Sequence, residues 1–336
     1  MARHSHSATE MELPAADKAA LKVSVLLPCL NEAGTIAEVI RRIGNALPGA
    51  AVYVYDNNST DDTAALAAAA GAVVRKESAP GKGNVVRRMF ADVDADIYVM
   101  VDSDLTYDTS GLRGLIDHLL ENKLDMIVGA RRPEDSRSHR RGHTLGNRMF
   151  NRIASILFGS RFEDIFSGYR VLSRRFVKSF PAVSKGFEIE TELTVHALDL
   201  RVPVVEIPVA YRARPDGSQS KLRTLPDGLR ILRTLIRLCK EVRPLAFFAS
   251  FALLFALASV TLGYPILVEW LDTGLVPRVP TAILCTGLMV LASLSLACGV
   301  ILDSVGKSRH EAKRLCYLGL SPAPDVGAGK WTTTSR

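Results

Sequence analysis

The chain has 336 residues, enough for one large domain or two smaller ones. Its formal net charge is +7, and 48% of its residues are hydrophobic. We expect no nucleic-acid partner, because the basic residues gather beside two long apolar segments and no basic motif with interleaved aromatic residues occurs. No two of the five cysteines have metal-ligand spacing, so we expect reduced, structural thiols.

The first two thirds of the chain show an alternating pattern. Residues 1–20 lack the apolar core of a signal peptide, and we expect them to form a disordered lead to a domain that stays in the cytoplasm. The first predicted strands are Val23–Leu27, Ala51–Tyr55, Ala72–Val74, Ile97–Val101 and Met126–Val128. The helices predicted between them are Thr35–Leu47, Asp61–Ala70, Gly83–Val93 and Ser110–Glu121. This alternation predicts a doubly wound, mainly parallel α/β sheet.

A polar, Arg-rich segment, Arg131–His143, separates these elements from four more. They are a helix near Leu145–Phe158, a strand near Tyr169–Leu172, a helix near Glu188–Leu200 and a strand near Val204–Tyr211. We expect residues 21–222 to form a single α/β domain.

The C-terminal third contains two segments without a charge, 244–268 and 279–302. Each is long enough to cross a hydrocarbon core of about 30 Å as a helix. The pattern of residues 223–243 predicts an amphipathic helix that lies in the membrane interface. The alternative is a basic helix packed on the domain. The link between the two segments has one basic residue, Arg278, whereas many flank their outer ends. The chain is therefore predicted to be a multi-pass protein of the cytoplasmic (inner) membrane, with the domain, both termini and a tail at 303–336 in the cytoplasm.

The apolar run Tyr98–Val101 ends in Asp102-Ser103-Asp104. This pattern predicts a buried strand that brings two carboxylates to the sheet edge where open α/β folds bind ligands. With no Cys or His nearby, the carboxylates suit Mg²⁺ or Mn²⁺. The alternative is a surface pair that caps the next helix.

Two more polar loops, Pro28–Glu32 and Asp56–Thr63, follow predicted strands and reach the same edge. Turn and cap chemistry accounts for their residue types, but an acid after an early strand also binds ribose in dinucleotide folds. The Gly-Lys-Gly at 81–83 opens a helix, where backbone amides and Lys82 are placed to face a phosphate. A plain turn is the alternative there.

The ordered set of motifs resembles family 2 glycosyltransferases of the GT-A fold, from about Lys22 to Lys221. The matching elements are Pro28–Glu32, Asp56–Thr63, Gly81–Arg87, Asp102–Asp104, Asp164–Arg170 and Gly217–Lys221. With the amphipathic helix and two apolar segments, the chain is similar to the branch that glycosylates polyprenyl phosphates, which includes dolichyl-phosphate mannose synthase.

The resemblance implies a donor site for a nucleotide sugar. Asp56, with the Pro28–Glu32 loop, would hold the nucleoside, and Asp102 and Asp104 would bind the diphosphate through Mg²⁺ or Mn²⁺. Lys221 would lie on a flexible loop over the donor. The nucleotide-sugar-binding set implied in full is Pro28, Asn31, Glu32, Asp56, Asn58, Lys82, Asp102, Ser103 and Lys221.

On the acceptor side, the resemblance matches Arg131 to an arginine that meets the acceptor phosphate. Arg140 or Arg141, with Thr144, resembles a second phosphate-binding element. These arginines and Asp164 form the implied catalytic set.

Asp164 matches the acid usually assigned as catalytic base, although an acid there also caps a turn. Glu190 and Glu192 lie on the following helix, and either of them is a candidate to face the site. Many relatives have Gln two residues after the second metal-binding Asp, whereas this chain has Thr106, which leaves the third metal ligand undefined.

The activity implied is metal-dependent, inverting transfer of a sugar from a UDP- or GDP-sugar to a polyprenyl phosphate such as undecaprenyl phosphate, at the cytoplasmic face of the membrane. The alternative is a membrane-bound family 2 enzyme that glycosylates a glycan or a lipid alcohol. The sequence identifies neither the sugar nor the oligomeric state, although similar enzymes include homo-oligomers.

Overall fold

The computed structural model describes residues 19–133, 163–212, 243–326 and 331–334, with the single residues 233, 240 and 329. The predicted helix near Leu145–Phe158 lies outside these ranges, as does most of the predicted interfacial helix at 223–243. The predicted site residues Arg140, Arg141 and Lys221 lie outside them too, and so does Thr144.

A seven-stranded sheet forms the centre of the domain. Its strands are β2 (Val23–Cys29), β3 (Ala51–Asp56), β4 (Val73–Lys76), β5 (Ile97–Met100), β6 (Met126–Pro133), β7 (Arg170–Ser173) and β8 (Val204–Tyr211). From edge to edge their order is β4-β3-β2-β5-β7-β6-β8. Neighbouring strands are parallel except β7, which is antiparallel to both β5 and β6. The predicted mainly parallel α/β sheet is confirmed, and β7 is the reversed strand among those that the structure describes.

In the described part of the chain, six helices cover the two faces of this sheet. They are α1 (Ile36–Ala46), α2 (Thr63–Ala69), α3 (Lys82–Asp92), α4 (Leu112–Glu121), α5 (Arg174–Ser179) and α6 (Ile189–Leu200). Side chains of α1 and α4 bury against one face, and those of α3, α5 and α6 bury against the other. Consecutive residues of β5 alternate between the two cores, Val99 in the first and Tyr98 in the second. The domain is thus a helix–sheet–helix sandwich.

Helix α1 shows why these segments fold as helices. Its buried residues are Ile36, Val39, Ile40 and Ile43, which follow the spacing of one helical face. Full burial of each such side chain contributes about 1.5–3 kcal/mol. Thr35 precedes the helix, and its hydroxyl donates to the carbonyl of Ser103 at 2.7 Å, which ties the helix start to the loop after β5.

Two long helices follow, α7 (Pro244–Thr273) and α8 (Val279–Leu318). Both are long and apolar enough to cross a membrane, and many of their apolar side chains are exposed, such as Leu253 at 61% and Ile283 at 67%. The helices pack on each other, and Ser259 of α7 donates to the carbonyl of Cys285 in α8 at 2.8 Å. These two helices suggest membrane association.

Helix α8 continues beyond its apolar part and contacts the α/β domain. Lys313 lies 3.1 Å from Asp199 at the end of α6. The Tyr317 hydroxyl donates to Asp125, just before β6, at 2.6 Å. One continuous helix of about 60 Å therefore contains both the apolar segment and the part that contacts the domain.

The chain then returns to the other face of the domain. Strand β9 (Trp331–Thr333) pairs in parallel with β1 (Ala19–Leu21), and Trp331 is fully buried. The Trp331 indole donates to Asp117 of α4 at 2.6 Å, and the Arg113 guanidinium lies 4.3 Å from its ring centroid. No pattern in the sequence predicts this second sheet.

Candidate active site

The polar loops predicted to carry the chemistry meet at one edge of the sheet. Cys29 is in register with Asp56, so the loops after β2 and β3 leave the sheet side by side. Met100, at the end of β5, is in register with Arg170, the first residue of β7. Since β7 is antiparallel, the loop that precedes it lies at the edge where the parallel strands end.

Two loops at this edge hold each other. The Asn31 amide N–H donates to Ser59 Oγ at 2.9 Å, while Asn31 Oδ1 accepts from the Thr60 amide at 2.8 Å. Glu32 donates its amide to Thr63 Oγ1 at 2.8 Å. These bonds give Asn31 a structural role within the predicted nucleoside pocket.

Asp56 is buried, and among the described residues its carboxylate accepts long bonds of 3.3 Å from the Ser59 amide. Its neighbour Asn57, which the sequence did not single out, joins this loop to the start of α3. The Asn57 side chain donates to the carbonyls of Glu77 and Ala79 and accepts from the Gly81 amide at 2.8 Å. Asn58 adds a bond to the Ser78 carbonyl at 2.9 Å.

The start of α3 is held close to the loop before α6. Gly81 has a φ of +123°, and a Cβ there would lie 2.2 Å from the Lys185 carbonyl oxygen. The Gly83 amide donates to that same oxygen at 3.1 Å. The Gly-Lys-Gly motif therefore serves close backbone packing, and it places Lys82 at the first position of the helix.

Asp102 and Asp104 differ in their surroundings. The Asp102 side chain is 30% exposed, and Gly168 packs against it so closely that a Cβ there would lie 2.5 Å from Asp102 Oδ2. Asp104 is buried, and its Oδ1 accepts from the Thr106 hydroxyl and amide at 2.5 and 3.2 Å. Thr106 thus fixes the Asp104 carboxylate. Ser103, between the two acids, donates its hydroxyl to the Pro28 carbonyl at 3.2 Å.

The two carboxylates of Asp102 and Asp104 fit a divalent cation that arrives with a diphosphate. Within the described ranges, no group of three or more Asp, Glu, His or Cys side chains is arranged to hold a metal ion. Mg²⁺ is commonly bound by one or two carboxylates with substrate phosphates completing its octahedron, so two acids suffice. A closed, all-protein metal site is not what these residues form.

Lys82 forms an ion pair with two carboxylates. Its Nζ lies 2.5 Å from Asp102 Oδ1 and 2.5 Å from Glu190 Oε1. Burial alone would lower the pKa of Lys82, but the two carboxylates outweigh that effect and raise it. Glu192 points elsewhere and accepts from the Val183 and Ser184 amides at 2.9 and 2.7 Å. Of the two candidate acids on α6, Glu190 is the one at the site.

Arg131 and Asp164 form a second ion pair at the edge. Nε and an Nη of Arg131 donate to the two Asp164 oxygens at 2.7 Å each, and the Arg131 amide adds a bond at 3.1 Å. The guanidinium also lies 5.6 Å from the Tyr211 ring centroid. Burial alone would lower the Arg131 pKa, but the bonds from Asp164 raise it. The Asp164 amide in turn donates to Glu206 at 3.0 Å.

A fully buried guanidinium holds the loop that carries Asp164. Arg170 donates to the carbonyls of Ile165, Ser167 and Glu190 at 2.9–3.0 Å and to the Thr194 hydroxyl at 2.9 Å. Burial lowers its pKa to about 10. Arg170 therefore fixes the Asp164 loop and the first turn of α6 together, a role that its place in the motif did not reveal.

Three comparisons with known proteins agree with this arrangement. The model of glycosyl transferase family 2 matches residues 24–180. Glycosyltransferase AglJ of Haloferax volcanii is 35% identical over 301 residues, which cover 87% of this chain and 97% of that protein. The dolichyl-phosphate hexose transferase of the same organism is 26% identical, over 66% of this chain and 95% of the relative.

A solved structure of glucosyl-3-phosphoglycerate synthase from Mycobacterium tuberculosis holds Mn²⁺, UDP-glucose and phosphoglyceric acid. It is 26% identical, has a TM-score of 0.55, and the match covers 67% of this chain and 81% of that one. Sheet order, edge loops and relatives together define a GT-A glycosyltransferase. The chain belongs to glycosyltransferase family 2, and its Mn²⁺-bound neighbour suggests a divalent metal.

Proposed function

We propose that this chain is an inverting glycosyltransferase that moves a sugar from a UDP- or GDP-sugar to a polyprenyl phosphate, at the cytoplasmic face of a membrane. A similar protein is named dolichyl-phosphate hexose transferase, and this name supports a lipid phosphate as the acceptor. The UDP-glucose of the mycobacterial neighbour supports a nucleotide-sugar donor.

The observation that carries the proposal is the two-point bond between Arg131 and Asp164. A guanidinium has five N–H donors, and Asp164 binds the side formed by Nε and one Nη, so an acceptor phosphate would bind the other side of the Arg131 guanidinium. A phosphate monoester has a second pKa of about 6 and is already largely ionised at pH 7, so it needs no base. An alcohol acceptor needs its proton removed, and a carboxylate bound by a guanidinium is poorly suited to that task. The pair therefore favours a phosphate acceptor over the alcohol alternative.

On the donor side, Asp102 and Asp104 would hold the divalent cation. When bound, the cation supplies Lewis-acid stabilisation of the departing nucleoside diphosphate. Lys82 adds a positive charge at the same place, beside Asp102. The buried Asp56, whose bonds to the Ser59 amide are long, is placed for the nucleoside. Single displacement on the sugar then gives inversion.

The two long helices fit a lipid acceptor. A polyprenyl phosphate keeps its phosphate at the membrane surface and its tail in the lipid. Basic residues at the domain side of α8, such as Lys307 and Arg309, would attract anionic lipid head groups. The contact between Tyr317 and Asp125 holds the domain to the helix that enters the membrane.

The direct test is transfer of radiolabelled sugar from a panel of UDP- and GDP-sugars to undecaprenyl phosphate, with Mg²⁺ or Mn²⁺, by the full chain in detergent. We expect one donor to give a labelled lipid, and Asp104→Ala to abolish the product. Asp325→Ala, at an exposed acid in the region after α8, is the matched control and should retain activity. Absence of labelled lipid with every donor would overturn the proposal.

A further inference from the structure

The cluster of Lys82, Asp102 and Glu190 holds its lysine with two ion pairs, which is more than phosphate binding alone requires. The Lys82 ammonium sits between two carboxylates at 2.5 Å from each. With both carboxylates ionised, the cluster has one net negative charge, because a single ammonium balances one of its two partners.

The two partners are not equivalent. The Glu190 side chain is 5% exposed, whereas the Asp102 side chain is 30% exposed. The Arg170 guanidinium donates to the Glu190 carbonyl at 2.9 Å, which fixes the start of α6 and with it the Glu190 backbone. Asp102 lies on the loop after β5, at the edge that would receive the donor. The bond to Glu190 is thus enclosed by protein, while the bond to Asp102 faces the site.

Glu190 depends on Lys82 for its charge. Burial raises the pKa of Glu190, and the ammonium of Lys82 opposes that rise. A buried carboxylate without a partner is strongly unfavourable, so the Lys82–Glu190 bond persists when the other partner of Lys82 changes.

Asp102, in contrast, has two competing uses. As a predicted metal ligand it must face a divalent cation, yet its Oδ1 is bonded to an ammonium that would repel that cation. Gly168 packs against the other oxygen, Oδ2, so the two uses compete for Oδ1, and Lys82 would have to leave Asp102 when the donor binds.

We propose, on the basis of the function proposed above, that Lys82 is an exchangeable counter-ion of Asp102 and that Glu190 is the positioning residue that retains it. Without donor, the ammonium neutralises Asp102. On donor binding, Lys82 leaves Asp102 for the nucleoside diphosphate and stays bonded to Glu190, while Asp102 turns to the cation. Metal and nucleoside diphosphate therefore bind cooperatively, since each removes the obstacle to the other.

The first test measures binding of Mn²⁺ alone, by calorimetry on the full chain in detergent. Lys82→Met removes the competing ammonium and should tighten Mn²⁺ binding about tenfold, a size typical of coupling within one network. The same variant should weaken UDP or GDP binding in the presence of Mn²⁺. A purely structural lysine would not give these opposite signs. Lys123→Met, at a lysine whose side chain is 75% exposed, should leave both affinities unchanged.

The double variant Lys82→Met with Glu190→Gln leaves no unpaired buried charge and guards against misfolding. It should still bind Mn²⁺ alone more tightly than the native chain. Unchanged or weaker Mn²⁺ binding in this folded variant would overturn the counter-ion proposal.

The second test concerns Glu190. Glu190→Gln should weaken nucleotide binding with Mn²⁺ about tenfold, and the loss should vanish when Lys82 is already Met. Equal losses in both backgrounds would contradict a role of Glu190 through Lys82. Glu121→Gln, at an exposed acid ending α4, is the matched control.

These readouts separate the two proposals. If the native chain binds neither UDP nor GDP with Mn²⁺, the donor class proposed above is wrong. If it binds a nucleotide while Mn²⁺ affinity is unaltered by the loss of Lys82, only the counter-ion proposal is wrong.

Discussion

Arg131, near the end of β6, binds both oxygens of Asp164, on the loop before β7, through two hydrogen bonds of 2.7 Å. The pair joins the acid expected to act as catalytic base to the arginine expected to meet the acceptor. Because the guanidinium binds both carboxylate oxygens, we propose that Asp164 acts by orienting Arg131 rather than by removing a proton.

The first prediction concerns Asp164→Asn. The amide has one acceptor oxygen and one donor nitrogen, so it keeps one of the two bonds to Arg131 and opposes the other. We expect kcat to fall about a hundredfold or more while Mn²⁺ and nucleotide affinities are unchanged. Steady-state kinetics and calorimetry on the same preparation check both parts.

The exposed pair of Asp94 and Arg174, at the opposite end of β5, provides the control, since Nε and an Nη of Arg174 both donate to Asp94 Oδ1 at 3.2 and 2.8 Å. Asp94→Asn should leave kcat unaltered. Native turnover in Asp164→Asn would refute an essential role for Asp164.

The second prediction concerns Gly168→Ala. The added Cβ would lie 2.5 Å from Asp102 Oδ2 and 2.8 Å from its carboxyl carbon, so the carboxylate must move. We expect the Mn²⁺ concentration needed for half-maximal activity to rise about tenfold, because a displaced ligand binds the cation less well. Gly114→Ala on α4, where a Cβ meets nothing within 4 Å, should leave the metal dependence as it is. An unchanged Mn²⁺ titration in Gly168→Ala would argue against Asp102 as a ligand.

The third prediction concerns Trp331→Ala. Trp331 is fully buried between the α/β domain and the returning C-terminal segment, and its indole N–H bonds Asp117. Loss of such a side chain costs about 3–5 kcal/mol, so the Tm in detergent should fall by several degrees. Trp270, which is 48% exposed on α7, is the matched control, and its replacement by Ala should change the Tm little. Equal Tm values for the two variants would contradict the burial of Trp331.

The strand pattern and helix spacing predicted β2, β3, β5 and β8, and helices α1 to α4, with ends within a few residues of those observed. The reversed direction of β7 was not predictable, because periodicity defines a strand but not its neighbours. The pairing of β1 with β9 was missed because each strand has only three residues, too few to show a periodic pattern in the sequence.

At the site, the loops at Asp56 and Asp102 were predictable because strand ends place them at one edge, whereas Asp164 was identified by the resemblance alone, since its loop reaches that edge through the reversal of β7. The choice between Glu190 and Glu192 was not, since both lie in the first turn of α6 and are distinguished by contacts in the folded chain, with Lys82 for Glu190 and with the 183–184 backbone for Glu192. Asn57 and Arg170 were missed because most of their partners are backbone groups, which the residue types of the sequence do not reveal.

The fourth prediction is a pH dependence of stability. His196 on α6 packs between the rings of Phe176 and Phe180, and burial lowers its pKa to about 4 from an ordinary value of 6.5. Between these pH values the unfolded chain binds a proton at this histidine and the folded chain does not. Stability therefore falls as the pH is lowered through the window, by up to about 3 kcal/mol.

His196→Phe removes this titration, so its Tm should decrease less than that of the native chain between pH 7 and pH 5. His118→Asn, at a partly exposed histidine on α4, should retain the native decrease. Parallel Tm profiles for the native chain and His196→Phe would show that His196 does not titrate as its burial requires.

The claim that the acceptor is a phosphate is tested most directly by offering undecaprenyl phosphate and undecaprenol, separately, to the native chain with its best donor. We predict labelled lipid from the phosphate only, and loss of that product in Arg131→Lys, whose ammonium cannot replace the two-point guanidinium bond. Transfer to undecaprenol at an equal rate, or undiminished transfer by Arg131→Lys, would contradict the account.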